Sequence, residues 1–391
     1  MRAAGVGKGP RGKTPEGAPE MRNALEPSTY EGSVMNMSLV LTIAGAVLAF
    51  LIGSGFASGQ EILQYFASYQ YESFLVGIVI IAVLCFANYC FVFAGNREKF
   101  TKGSEVFNFY CGPIIGRFFD YFAAIFCYMS FVVMLGGIAA TVNQQFGIPG
   151  VVGAVGLAAC AGLTVIFGLD AIVNIISKIG PALVLLSILI GLCTLFISWD
   201  AIPAGAELIK TKQVKVMQAS TNWLLAGASY GGFCLMWLAG FMAQLGSEYE
   251  RNGKELQLGQ VIGVSMLVIA CIIVGFAQVA NIQEVAGTQV PNLVLAQKLA
   301  PLLAHGFAVI IILAIYTTAC PLLWTVSARF TEQGSARYKG FTAVLAIVGC
   351  FVALKVPFST LVNYIYVLNG YGGALLIIFM IVKLARLRLN R

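Results

Sequence analysis

Charge is scarce in this chain. Of its 391 residues, 10% are Asp, Glu, Lys or Arg, against about a quarter in soluble domains. A water-exposed globular surface cannot be built from so few ionic groups. Histidine is scarcer still, with His305 the only one. The ten cysteines lie mostly within apolar stretches, as at Cys85, Cys90, Cys127, Cys160, Cys193, Cys271 and Cys350, and form no CxxC pair or Cys/His cluster. They read as small apolar packing residues, and neither disulfides nor a structural metal is expected. No Gly-x-x-x-x-Gly-Lys-Ser/Thr stretch occurs, which argues against a nucleotide-driven pump. No cluster of His, Asp and Glu within the apolar stretches supports an enzyme.

What is abundant is hydrocarbon. The chain is 59% hydrophobic, with mean hydropathy +0.86. Its apolar runs are near-continuous and about 20 residues long, the length of a membrane-crossing helix rather than of an alternating strand. An all-α integral membrane protein is expected, with the lipid bilayer as its solvent. Ten segments are legible, at about 37–67, 73–95, 114–142, 149–168, 171–198, 220–247, 256–280, 303–329, 338–354 and 358–385. Residues 1–36 are basic, Gly/Pro-rich and aperiodic, and read as a disordered cytoplasmic tail. They are not a secretory signal, because the first apolar segment begins too late and is too long. Residues 37–391 read as a single transmembrane domain.

The net charge of +7 does not imply nucleic acid, since the basic residues sit between the apolar runs. With the N-terminus inside, 19 of the 24 Lys and Arg residues fall in cytoplasmic loops and tails and 5 outside. That asymmetry predicts a multi-pass protein of the cell membrane with both termini cytoplasmic. Two outer stretches, 199–219 and a candidate helix at 291–300, read equally as lids over a central cavity or as plain surface loops.

One stretch breaks the pattern. Gly53-Ser54-Gly55-Phe56-Ala57-Ser58-Gly59-Gln60-Glu61 interrupts the first apolar segment with three glycines, two serines, an amide and an acid. Irregular backbone at membrane depth survives only where protein or a watery cavity satisfies it. The sixth segment is interrupted too, at Gly227-Ala228-Ser229-Tyr230-Gly231-Gly232. First and sixth hold matching places in two halves of five, about 37–198 and 220–385. An odd-numbered half forces the second copy to enter from the opposite side, so the repeat is inverted. Paired Gly-interrupted segments point to the binding site of a transporter. Close small-residue packing is the alternative.

The first-segment stretch resembles the signature of the YkvI-type membrane proteins, an uncharacterised bacterial group. More remotely, the chain is similar to the amino acid–polyamine–organocation superfamily with the LeuT fold. Three places carry that second likeness. Gly53-Ser54-Gly55 is similar to the Gly-x-Gly at which sodium symporters unwind their first helix. Gly168-Leu169-Asp170-Ala171-Ile172 and Ser177-Lys178-Ile179-Gly180-Pro181 resemble their fifth-helix pattern, with the proline one residue early. Ala314-Ile315-Tyr316-Thr317-Thr318 is similar to the Ala-x-x-Thr-Ser of their second sodium site. The resemblance implies a 5+5 inverted repeat with discontinuous first and sixth helices. It implies a secondary transporter of a small organic solute, an amino acid or related amine or carboxylate, moved by alternating access; a non-transporting membrane sensor or a channel on the same fold is the alternative.

The candidate substrate residues are Gly53, Ser54, Gly55, Ser229, Tyr230 and Gly231. Half-helices starting near Phe56 and Gly232 would turn free N–H groups toward an anionic group. Tyr128 resembles the tyrosine that holds a substrate carboxylate, or is a packing tyrosine. For sodium, Ala314, Thr317 and Thr318 share one helix face and offer the hard oxygen ligands such a cation wants. By resemblance the carbonyls of Ala49 and Ile52 join them. The alternative is that both threonines bond back to the preceding turn. No other cofactor is expected, and the symporters' first sodium site has Phe56 where an asparagine is needed. Gln60, Glu61 and Lys178 are gate or coupling candidates, and a proton carried by Glu61 or Lys178 is the competing reading. Glu61 is placed two turns beyond the break, toward the outside. Asp120 is expected to pair with Arg117, three residues before it.

Overall fold

The computed structural model describes residues 35–167, 170–249 and 252–389, and the side chains of 170–181 lie outside that description. Every regular element among the described residues is helical. In chain order they are α1 (Met37–Leu51), α2 (Ser54–Ser58), α3 (Gln60–Tyr65), α4 (Ser73–Glu98), α5 (Glu105–Phe146), α6 (Gly150–Phe167) and α7 (Asp170–Ile197). There follow α8 (Ile202–Lys210), α9 (Trp223–Glu248), α10 (Gly253–Ala280), α11 (Ile282–Val285) and α12 (Pro291–Leu299). The last three are α13 (Pro301–Phe330), α14 (Ala336–Lys355) and α15 (Phe358–Leu389).

Eight of these are long and apolar enough to cross a membrane, namely α4, α5, α6, α9, α10, α13, α14 and α15. Residues 182–197 of α7 qualify together with the segment 199–210, bent from it by 77°. The shorter α1 and its continuation complete the ten segments read from hydropathy. Single side-chain bonds show how the helix ends group. Gln64 reaches Ser359, Tyr69 reaches Ser220, Gln144 reaches Val290 and Ser198 reaches Asn281. These place the ends of α3, α5, α7 and α10 with the starts of α9, α12 and α15. At the other end Arg329 meets Asp120, and Ser247 meets Gly95. Successive long helices therefore alternate in direction.

The third segment is longer than its apolar stretch. Helix α5 begins at Glu105 and is kinked at Gly112 (φ 76°), just before Pro113. A left-handed residue followed by a proline, which lacks an N–H, is a sufficient cause. The expected Asp120–Arg117 pair is not formed. Arg117 donates to the Pro113 carbonyl one turn back, while Asp120 pairs with Arg329 of α13. The cross-helix partner wins because it also lies over the Tyr121 ring, 5.0 Å from its centroid.

The first and sixth segments part company here. Helix α1, capped by the Asn36 side chain at 3.1 Å, stops at Leu51, and Ile52 and Gly53 are extended. The expected break is present. Helix α9 is one unbroken helix from Trp223 to Glu248, so the expected discontinuity of the sixth segment is not. Its glycines serve close approach instead. A Cβ on Gly231 would lie 2.4 Å from Val83 of α4, and one on Gly232 would lie 2.0 Å from the Gly370 carbonyl of α15. Two faces of α9 are thereby pressed against two neighbours, as small residues allow in membranes.

Candidate functional site

The site grows from the two joints of the first segment. Helix α2 is only five residues long. It ends at Gly59, whose φ of 82° lies in the left-handed region, and α3 restarts at Gln60. Three bonds hold the turn from inside: Ser58 Oγ donates to the Gly55 carbonyl at 3.0 Å, Gly59 N–H to Phe56 at 3.0 Å, and Gln60 N–H to Ser58 Oγ. Two buried amides hold it from outside. Gln278, at the end of α10, donates to the Gly59 carbonyl at 3.0 Å and to Asn292 Oδ1 at 3.1 Å. Asn292, on α12, donates to the carbonyls of Phe56 and Ala57, both at 3.3 Å. Carbonyls freed by the joint are thus satisfied within the protein, as their depth demands. A Cβ on Gly59 would fall 2.2 Å from Asn292 Oδ1.

The Gly59 joint also moves Glu61. It does not stand two turns beyond the break but folds back upon it. A Cβ on Gly55 would be 2.5 Å from Glu61 Oε2 and 3.1 Å from the Tyr366 ring. Glu61 is 0% exposed. Its Oε1 accepts a hydrogen bond from the Tyr230 hydroxyl at 2.5 Å, and its Oε2 has no hydrogen-bond partner. Gln60 is buried as well, its Oε1 unpartnered.

Around this carboxyl lies an aromatic cluster. Tyr65 and Tyr230 meet edge to face at 5.2 Å, Tyr230 and Phe233 lie 4.8 Å apart, and Phe233 stacks on Tyr366 at 4.7 Å. Trp237 and Phe126 close the far side, stacked at 5.3 Å. Several polar atoms in the cluster are buried without a hydrogen bond of normal geometry: Ser54 Oγ, Ser229 Oγ, the hydroxyls of Tyr65 and Tyr366, and Trp237 Nε1. Tyr65 faces Ser229, and Tyr366 faces Ser54, but neither pair closes. Native interiors leave few such groups, and a concentration of them asks for a role.

The structure therefore brings Gly53, Ser54, Gly55, Ser229, Tyr230 and Glu61 together. Gly231 is turned to α4, away from them. Tyr128 is turned away too: its hydroxyl donates to the Leu345 carbonyl of α14 at 3.1 Å. On α5, Met134 and Gly137 lie against Gly53 and Ser54, and Phe126 lies against Tyr366; Tyr128 falls on the opposite side of that helix. Tyr65 and Tyr366 were missed because each sits in a stretch with no interruption to flag it. Gln278 carries no sequence signal beyond being an amide in an apolar run, and Asn292 enters the sequence reading only as part of the candidate helix at 291–300.

At the expected sodium residues, Thr317 and Thr318 hydroxyls both donate to the Ala314 carbonyl, at 3.0 and 2.9 Å. Ile52 is buried, and Ala49 is exposed on α1. Lys178 lies outside the described side chains. Among the described residues, no group of three His, Cys, Asp or Glu could hold a metal.

No protein-family model matches the chain. It is 21% identical over 332 residues to the uncharacterised membrane protein YkvI of Bacillus subtilis (strain 168), covering 84% of this chain and 91% of that one. It is 22% identical over 344 residues to the uncharacterised protein YyaD of the same organism, covering 86% and 94%. Among solved structures it is similar to MhsT in complex with L-phenylalanine. The TM-score there is 0.56 at 15% identity, over 83% of this chain and 80% of that chain. The chain is a multi-pass membrane protein of the LeuT fold, and its homologues include YkvI and YyaD.

Proposed function

We propose that the chain is a secondary active transporter that moves a small organic solute by alternating access about the break at Ile52–Gly55. One observation carries this reading. The first apolar segment is interrupted at Ile52–Gly53, and buried polar atoms lacking a hydrogen bond of normal geometry converge on the interruption from α2, α3, α9 and α15. A helix that only anchors the chain has no use for either feature, and both are costly in hydrocarbon. The likeness of fold to MhsT, crystallised with L-phenylalanine, supports a solute of amino-acid size. Ser54, Gly55, Ser229 and Tyr230 are the proposed contacts.

Coupling to one sodium ion is part of the proposal. The hydroxyls of Thr317 and Thr318 would bind it, with the carbonyls of Ala49, Ile52 and Ala314. Both hydroxyls now donate to Ala314, so an ion there must draw their oxygens round from that carbonyl. The test is solute uptake into proteoliposomes with and without a sodium gradient. Uptake that needs sodium and fails in Thr317→Ala supports the site. Uptake driven by a pH gradient and lost in Glu61→Gln moves the coupling to a proton. Failure to transport any member of a broad solute panel overturns the transporter reading.

A further inference from the structure

We infer that the seam between α5 and α15, at the end of the molecule where Arg329 meets Asp120, binds an anionic phospholipid. Its headgroup phosphate lies at Lys383 and Arg386, and an acyl chain runs along the exposed apolar side chains of the seam. Such a site stands whether or not the chain transports a solute.

Aromatic rings bring the seam together. Phe119 of α5 meets Phe379 of α15 at 6.2 Å, and a Cβ on Gly372 of α15 would fall 2.7 Å from the Phe122 ring. One turn beyond Phe379, the Lys383 ammonium stands over the Phe109 ring, 5.1 Å from its centroid. Phe109 belongs to the first turns of α5, ahead of the Gly112 kink, and meets Phe100 of the preceding loop at 6.3 Å. That loop, 99–104, carries Lys99 and Lys102 to the same corner. Arg386 follows Lys383 by three residues, so both share one face of α15 with Phe379.

The corner is basic well beyond its acids. Segments 97–105 and 383–388 hold six cations, Arg97, Lys99, Lys102, Lys383, Arg386 and Arg388, against two acids. Both acids are engaged: Glu98 pairs with Arg97 at 3.3 Å, and Glu105 accepts the Thr101 N–H at 3.2 Å. Among the described residues no acid pairs with Lys102, Lys383, Arg386 or Arg388. The Phe109 ring holds the Lys383 ammonium in place without neutralising it. Beside these cations the exposed side chains are apolar, Ile115 and Phe118 on α5 and Ile378 and Val382 on α15. The complement of such a surface has a negative head and a hydrocarbon tail. Clustered Lys and Arg just beyond a membrane helix attract anionic headgroups. A nucleic acid or an acidic protein offers the charge but nothing for the apolar seam.

The test is titration of the purified full-length protein, in nonionic detergent, with phosphatidylglycerol or phosphatidylcholine of matched chains. The lipid-bound fraction is read by native mass spectrometry. Phosphatidylglycerol is expected to bind more tightly, and less so as salt is raised. A basic residue at an anionic headgroup is worth about a fivefold factor, so Lys383→Gln and Arg386→Gln should each weaken binding about fivefold and together about 25-fold. Phe109→Leu keeps every charge but removes the ring beneath Lys383, and should weaken binding about two- to fivefold. The control is Arg337→Gln with Lys339→Gln, which removes the same charge from exposed positions of α14 at the same end and should leave binding within about twofold. The site is overturned if phosphatidylcholine binds as tightly as phosphatidylglycerol, or if the α14 pair costs as much as the α15 pair. Displacement of the lipid by inorganic phosphate at equal concentration would overturn it too, since the seam would then have no part. Displacement by polyglutamate would assign the corner to an acidic partner instead.

Discussion

Gln278 Nε2 lies 3.0 Å from the carbonyl oxygen of Gly59, a bond between residues 219 apart in sequence. It ties the end of α10 to the left-handed joint of the first segment. The same nitrogen donates to Asn292, which holds the carbonyls of Phe56 and Ala57. The broken helix of the first repeat is therefore shaped by amides of the second.

Asn292→Asp tests that tie with almost no change in volume. It replaces the donor facing Phe56 and Ala57 by an acceptor, removing a hydrogen bond from each of two buried carbonyls and setting an acceptor against them, at a cost of about 1–3 kcal/mol. The expected outcome is a lower unfolding temperature with faster amide exchange at 54–65 and 291–299 together. Exchange mapped by mass spectrometry checks it. Unchanged protection at 54–65 would show that the joint holds itself.

Tyr230→Phe removes the donor to Glu61 Oε1, so the carboxyl loses its one hydrogen bond. A destabilisation of about 1–3 kcal/mol is expected. In a double-mutant cycle with Glu61→Leu, which removes the acceptor, the two losses should not add, because the residues share one contact. Additive losses in thermal unfolding would mean the bond contributes nothing.

Asp120→Asn should weaken the pairing between α5 and α13. The Arg329 side chain is 39% exposed and that of Asp120 19%, so solvent screening limits the effect to about 1 kcal/mol or less, reduced further by salt. Coupling measured in a cycle with Arg329→Ala should vanish when Arg117→Ala is used instead. Coupling to Arg117 would contradict the observed partner.

Gly232→Ala places a methyl group against the Gly370 carbonyl, 2.0 Å away. Overpacking of this kind costs about 1–3 kcal/mol or more, seen as a lower unfolding temperature or lost expression. Gly45 is the control. A Cβ there meets nothing within 4 Å, and Gly45→Ala in the exposed face of α1 should stabilise by up to about 1 kcal/mol. Equal behaviour of the two variants would refute the close-approach role of Gly232.

The architecture was largely legible because hydrocarbon imposes its own length rule. Apolar runs of about 20 residues can be counted, and the chain supplies few ambiguous ones. The break at Gly53 was legible for a related reason, since polar residues and glycines at membrane depth need a compensating structure. The same reasoning misplaced the sixth segment. Gly227, Gly231 and Gly232 look alike in sequence whether they unwind a helix or let two neighbours press against it. Only Val83 and Gly370, far off in the chain, decide between these.

The sequence alone determined the membrane class, the ten apolar segments, the interruption at Gly53–Gly59 and the presence of an acid within it. Each follows from composition or local pattern. The tertiary structure decided where that acid points. A left-handed Gly59 turns α3 so that Glu61 returns to Gly55, meets Tyr230 at 2.5 Å and is walled by Tyr65, Phe233 and Tyr366. No local rule orients a side chain across such a joint. The angle is set by Gln278 and Asn292, which reach it from helices that the chain forms more than two hundred residues later.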